Sequence, residues 1–187
     1  RTRYRNLDQR LVDRLERGAL ERLVRAAARP DDRVLDMPCG YGRLTAIAAA
    51  ADRTVVAADR SREMLLSSRG KARGSAVHCG ADARSLPFRD GSFDGAICVR
   101  LMQHLADAAR REVLRELFRV TERWAVVSVY RKAGLHHLQR RLLGRGRMCV
   151  SLDRIRDEVA DAGFRVERVA KPLPFLHAQT LLSLRRR

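Results

Sequence analysis

The stretch Val34-Leu35-Asp36-Met37-Pro38-Cys39-Gly40-Tyr41-Gly42 decides the fold. An apolar run ends in an acidic residue and a glycine-containing turn. That is the pattern of a buried parallel strand whose carboxyl end opens into a loop, and such loops hold ligands in open α/β sheets. A second run, Thr54-Val55-Val56-Ala57-Ala58-Asp59, repeats the plan, and a third, Ala76-Val77-His78-Cys79, soon reaches Asp82. Parallel strands carry their carboxyl ends on one edge of the sheet, so Asp36, Asp59 and Asp82 are expected to stand there in sequence.

The chemistry of such an array selects its ligand. Glycine lets backbone approach a ligand where a side chain would collide. A carboxylate can accept hydrogen bonds from both hydroxyls of a ribose, and a further acidic side chain can accept from the amino group of adenine. Adenosine fits. The dinucleotide fingerprint asks for glycine or alanine three residues after its second glycine, and Thr45 stands there after Gly42. Asp59 does lie near the distance expected of a ribose ligand, so a nicotinamide or flavin oxidoreductase stays open as an alternative. A Walker-type phosphate loop is excluded, because no lysine followed by Ser or Thr closes the glycine turn.

The passage Asp82-Ala83-Arg84-Ser85-Leu86-Pro87-Phe88-Arg89-Asp90-Gly91-Ser92-Phe93-Asp94, continuing through Gly95-Ala96-Ile97-Cys98-Val99 to His104-Leu105, completes the picture. With these motifs the chain resembles the class I S-adenosylmethionine-dependent methyltransferases, in the broad group that includes the ubiquinone and menaquinone biosynthesis enzymes. The resemblance runs from about Arg33 to Phe164. It implies an α/β fold: a Rossmann-like, doubly wound, seven-stranded sheet, mostly parallel, with one antiparallel strand near the C-terminus. It also implies S-adenosyl-L-methionine as cofactor. Asp36 would organise the loop and the methionine amino group, with Gly40 and Gly42 giving close backbone approach. Asp59 would take both ribose hydroxyls, Arg60 and Met64 would flank the adenine, and Asp82 would accept from its amino group with the Ala83 N–H nearby. Carbonyls around Cys98 would meet the methionine ammonium. The sequence departs from the family at Pro38, where a glycine is usual; proline has a fixed φ and no N–H to donate.

Along the chain, Leu7, Leu11, Leu15, Leu20, Leu23, Val24 and Ala27 recur at three- and four-residue intervals, which predicts an amphipathic helix within a helical segment 1–29, ended by Pro30-Asp31-Asp32. Further helices are expected over Gly42–Ala51, from a cap at Ser61, over Asp107–Val120, and from Ser151 to Gly163. A fifth strand is Trp124–Tyr130; Phe164–Val169 and Thr180–Leu184 form the last pair. Residues 131–150 make a basic segment with Leu135, Leu138 and Leu142 at helical spacing. It reads either as a substrate lid whose Arg140, Arg141, Arg145 and Arg147 recognise an anionic group, or as a surface connector.

At 187 residues and 45% hydrophobic content, the chain is expected to form one domain, 1–187. No apolar run approaches the roughly 18 residues of a membrane span, so a cytoplasmic location is expected. The cysteines Cys39, Cys79, Cys98 and Cys149 are widely separated, which suggests neither a metal site nor a disulfide framework. The net charge of +17 would direct attention to nucleic acid, but the basic residues are dispersed and aromatics amount to only 5%, too few for base stacking. The expected reaction is methyl transfer to an O or N atom of a small-molecule or lipid acceptor, an anionic one being the kind that arginines could receive. Methylation of RNA is the alternative, and a noncatalytic binding protein on the cofactor fold a further one. Candidate bases are His104, Tyr130, His136 and His137. As a strand-tip residue, Asp59 is expected to be exposed and to matter little for stability.

Overall fold

The computed structural model describes residues 7–71, 76–131, 149–172 and 179–187. The described elements are α1 (Leu7–Ala27), β1 (Arg33–Asp36), α2 (Thr45–Ala48), β2 (Thr54–Asp59), α3 (Arg62–Lys71), β3 (Ala76–Gly80), β4 (Phe93–Cys98), a 3₁₀ turn (Met102–His104), α4 (Asp107–Val120), β5 (Thr121–Tyr130), α5 (Leu152–Asp161), β6 (Phe164–Ala170) and β7 (Gln179–Arg186). The strands form one seven-stranded sheet in the order β3-β2-β1-β4-β5-β7-β6. β1 to β5 are parallel, and β7 runs antiparallel to both β5 and β6. This is the expected architecture. Strand order reverses between β1 and β4, and the carboxyl ends beside that reversal are where open α/β sheets bind ligands.

Alternation along the strands divides the core between the two faces of the sheet. Leu35, Ala96, Cys98, Ala125, Val127 and Val129 pack with Val113, Leu114 and Leu117 of α4 and Ile155 and Val159 of α5. Val34, Ile97, Trp124 and Val126 pack with Ala19, Leu20, Leu23 and Val24 of α1 and Ile47 and Ala48 of α2. Trp124 is fully buried, and its ring lies where a side chain on Gly95 would stand: a Cβ there would meet it at 2.0 Å. Its indole N–H donates to Asp32 at 3.0 Å.

Local chemistry accounts for most boundaries. Ser61 accepts from the Met64 N–H and Ser151 from the Arg154 N–H, each at 3.3 Å, so both expected caps form. The helix expected over Gly42–Ala51 is shorter, only Thr45–Ala48. Its carbonyl end is capped by Arg53, which donates to the carbonyls of Ala48 at 2.7 Å and Ile47 at 3.1 Å, and left-handed Ala51 and Asp52 then turn the chain into β2. β5 begins at Thr121 rather than Trp124, with no loop after α4, because the Thr121 hydroxyl caps α4 on the Leu117 carbonyl at 2.6 Å. Among the described residues no helix is long and apolar enough to cross a membrane.

Candidate functional site

The carboxylates at the ends of β1 and β2, and Asp82 just past β3, share one edge because these strands are parallel neighbours, with Asp36 beside Ala57 and Asp59 beside Gly80. The loop after β1 is stitched to both sides of the switch point. The Met37 N–H donates to the Ile97 carbonyl at 2.9 Å and the Cys39 N–H to the Ala58 carbonyl at 2.8 Å. The Met37–Pro38 peptide is cis.

Asp59 is 8% exposed, which overturns the expectation of an exposed strand-tip residue. One oxygen accepts from the Gly40 N–H at 3.0 Å and the other from the Ser61 N–H at 2.9 Å. The carboxylate is thus held by two backbone donors, and each oxygen keeps a lone pair for a ligand hydroxyl. Gly40 and Gly42 both have positive φ, 53° and 71°. Their surroundings differ. A Cβ on Gly40 would meet nothing within 4 Å, so this backbone borders open space, whereas one on Gly42 would stand 2.7 Å from Ser68 Oγ and 3.0 Å from Ser68 Cα. Gly42 is needed where α3 packs against the loop.

Asp36 is 1% exposed and accepts from the Thr45 hydroxyl at 2.7 Å. Burial pushes its carboxyl up to about 7; the Thr45 hydrogen bond opposes this and the nearby Asp59 charge adds to it. Thr45 therefore supports the site, a role that its sequence position did not disclose. Burial and the Asp36 charge push the Cys98 thiol up to about 12, and burial with Asp36 pushes Cys39 up to about 11, so neither offers a thiolate at neutral pH. Asp82 is half-buried and forked by Arg84, whose side chain donates at 2.9 and 3.3 Å and whose backbone N–H donates at 2.9 Å. Arg84 pulls the Asp82 carboxyl down to about 2. This partner too was missed, although a residue two beyond an aspartate is a recognisable local donor.

Of the remaining expected cofactor residues, Arg60 is exposed, Met64 half-buried, Ala83 buried, and Cys98 fully buried in the sheet. Of the candidate bases, His104 is exposed at the end of the 3₁₀ turn, 3.4 Å from the Gln103 side-chain nitrogen, while Tyr130 is 4% exposed at the end of β5. That turn packs on β5, so the structure brings the two onto the same edge. His136 and His137, the arginines of the basic segment and nearly all of 131–150 lie outside the described residues. Among the described residues no group of three or more His, Cys, Asp or Glu is placed to hold a metal ion.

The Leu86-Pro87-Phe88 passage that carries the resemblance is a packing device. Arg119 of α4 donates to the carbonyls of Leu86 at 3.0 Å and Phe88 at 2.7 Å, and Glu116 accepts from the Leu86 N–H at 2.7 Å. Phe88 meets Phe93 edge-on at 5.0 Å.

Sheet order, the carboxylate edge and the glycine loop define a class I methyltransferase fold. Residues 34–123 match the model of the methyltransferase domain family. The chain is 39% identical over 112 residues to a demethylmenaquinone methyltransferase of Clavibacter sepedonicus, covering 58% of this chain and 43% of that protein. It is 31% identical over 108 residues to a tRNA (carboxymethyluridine(34)-5-O)-methyltransferase of Xenopus tropicalis, covering 53% of this chain and 16% of that protein. The chain thus spans less than half the length of either relative. The magnesium protoporphyrin IX methyltransferase of Synechocystis PCC 6803, solved with bound S-adenosylhomocysteine, superposes with a TM-score of 0.85 at 20% identity, covering 98% of this chain and 89% of that one. By sequence and fold together the chain is similar to the class I S-adenosylmethionine-dependent methyltransferases and has their fold.

Proposed function

We propose that this chain transfers the methyl group of S-adenosylmethionine to an O or N atom of a small-molecule or lipid acceptor. The observation that carries the reading is the set Asp36, Asp59 and Asp82 on one sheet edge, with the open backbone of Gly40 between the first two. These acceptor-only side chains match the donors of the cofactor: an ammonium, two ribose hydroxyls and an adenine amine. Asp59 receives the ribose, Asp36 faces the methionine ammonium, and Asp82 takes the adenine amine while Arg84 holds its far side. Arg60, Met64 and Ala83 border the adenine, and the backbone at Cys98 borders the methionine. Gly42 shapes the loop through α3. When bound, the cofactor supplies a methyl group on a good leaving group, so the protein's task is to align an acceptor lone pair behind it. His104, exposed at this edge, is the base in this reading if the acceptor is a hydroxyl.

All of 1–187 acts as one catalytic unit, with 131–150 as the lid over the acceptor. A quinone-like acceptor is the first to test, given the demethylmenaquinone methyltransferase relative. The net charge of +17 and the tRNA methyltransferase relative favour RNA as the second. Calorimetry should show S-adenosylhomocysteine binding and no NAD binding; the reverse result sinks the cofactor assignment. Methyl transfer from labelled cofactor to a hydroxyl of a quinol, and not to unmodified tRNA, is the expected second outcome; methylation of a ring carbon overturns the O or N assignment. If RNA is the acceptor, its affinity should fall steeply with salt, and each of Arg140, Arg141, Arg145 and Arg147 removed should make that slope shallower.

A further inference from the structure

An ionic cluster centred on buried Glu16 joins α1 to the two loops that flank the switch point. Glu16 is fully buried, and Asp13 lies one turn earlier on the same face of α1. Arg43, the residue after Gly42, donates to Asp13 at 2.8 Å and to Glu16 at 2.9 Å. Arg100, two residues after the end of β4, donates to the same two carboxylates, at 2.8 Å to Asp13 and at 2.5 and 3.2 Å to Glu16. Gln179, the first residue of β7, donates to Glu16 through its side chain. Burial alone would raise the Glu16 carboxyl; the hydrogen bonds and charges of Arg100 and Arg43 outweigh it and hold it below the usual range.

Three features make this more than a structural ion pair. It stands at the ligand edge, because Gln179 pairs with Tyr130 at the carboxyl end of β5 and Arg43 and Arg100 leave the ends of β1 and β4. Arg100 holds a left-handed φ of 64°, unfavourable for a side chain of its kind, with its N–H on Ser128 Oγ at 2.7 Å. The body of α1, from Ala19 onward, packs on the sheet, and Asp13 and Glu16 precede that packed body on the same helix. Leu11, just before them, is exposed.

We infer that Glu16 is a positioning residue for the cofactor site: through Arg43 and Arg100 it sets the spacing of the two loops and ties α1 to them. Two carboxylates neutralise two guanidinium groups, so these arginines serve the latch and leave anion recognition to others. The inference rests on the cofactor reading above.

The test compares Glu16→Gln and Arg43→Gln with Asp94→Asn, which breaks the Arg33–Asp94 pair at the opposite edge of the sheet. Binding of S-adenosylhomocysteine is measured where denaturation curves show each variant folded, alongside amide exchange over residues 11–20. Coupling through such networks amounts to shifts of roughly 2- to 30-fold. Arg43→Gln and Glu16→Gln should weaken binding on the order of tenfold and speed exchange in α1, whereas Asp94→Asn should leave both unchanged. In the wild type, the ligand should slow that exchange. If Glu16→Gln does not fold, Arg43→Gln decides. Wild-type affinity in the latch variants, or an equal loss in Asp94→Asn, overturns the positioning role. A wild-type protein that fails to bind the ligand overturns the cofactor reading first and this inference with it.

Discussion

Asp36 and Asp59 end neighbouring strands and differ in the donors that hold them. Asp36 has one protein donor and is buried; Asp59 is gripped by two backbone N–H groups. A ligand ammonium near Asp36 favours its anion, so binding below pH 7 must release the proton that burial retains there. Affinity for S-adenosylhomocysteine should therefore rise as pH increases toward about 7 and level off above it, and Asp36→Asn should flatten the profile; calorimetry across pH 5.5–8.5 in buffers of different ionisation enthalpy checks both. The stability sign is the inverse. The folded state holds a proton that the unfolded state has lost above its ordinary value of 3.8, so Asp36 makes the ligand-free protein less stable as pH rises from about 4 to about 7. For Asp59, Asp59→Ala should cost about 2–3 kcal/mol of ligand binding and also about 1–3 kcal/mol of stability, since the Gly40 and Ser61 N–H groups lose their acceptor. Urea denaturation beside calorimetry separates the two losses; a variant that binds normally removes Asp59 from the ribose site.

At the level of elements, one loop uses its glycines for two purposes. Gly40→Ala puts a methyl group into open space beside the carboxylates, so it should reduce ligand affinity at least tenfold while costing only the strain of its left-handed φ, about 1–2 kcal/mol. Gly42→Ala adds a clash with Ser68 to similar strain. Ser68 is fixed in turn by the side chain of His78 on β3, 3.0 Å away, so α3 cannot easily retreat. Its stability loss should exceed that of Gly40→Ala by about 1–3 kcal/mol. Thermal denaturation and ligand titration of the two variants check the contrast, and equal profiles would refute it. The motif is one pattern in sequence, yet only the packing of α3 distinguishes the glycine that faces a ligand from the one that faces a helix.

Across the whole molecule, the second face of the sheet is closed by α4 and α5 around a bidentate pair. Arg110 donates to Glu158 at 2.6 and 2.7 Å, and both side chains are 2% exposed. Breaking the pair leaves buried Arg110 with only the half-exposed Asp107 carboxylate, 2.7 Å away, as its counter-charge, so Glu158→Gln should destabilise by up to about 3 kcal/mol in urea denaturation. The double variant Arg110→Met, Glu158→Leu should recover most of that loss, because well-packed apolar groups replace a buried pair at little cost.

Much of the architecture was legible because it depends on local patterns: apolar runs ending in carboxylates name the parallel strands, hydroxyl caps at Ser61 and Ser151 start helices, and strand alternation assigns residues to faces. The same patterns nominated Asp36, Asp59 and Asp82 for one edge. What could not be read depends on contacts between residues far apart in the chain. The shortening of α2 follows from where Arg53 places its guanidinium, and the burial of Asp59 from the fold of the glycine loop over it. Glu16 looked like one more polar position on an amphipathic helix; it is buried because Arg43, Arg100 and Gln179 arrive from three other parts of the chain. Sequence periodicity carries the direction in which a side chain points, and so determines the layers and the site's edge. Which charge it meets there is decided by tertiary packing, because a carboxylate enters a dry interior only when distant donors converge on it.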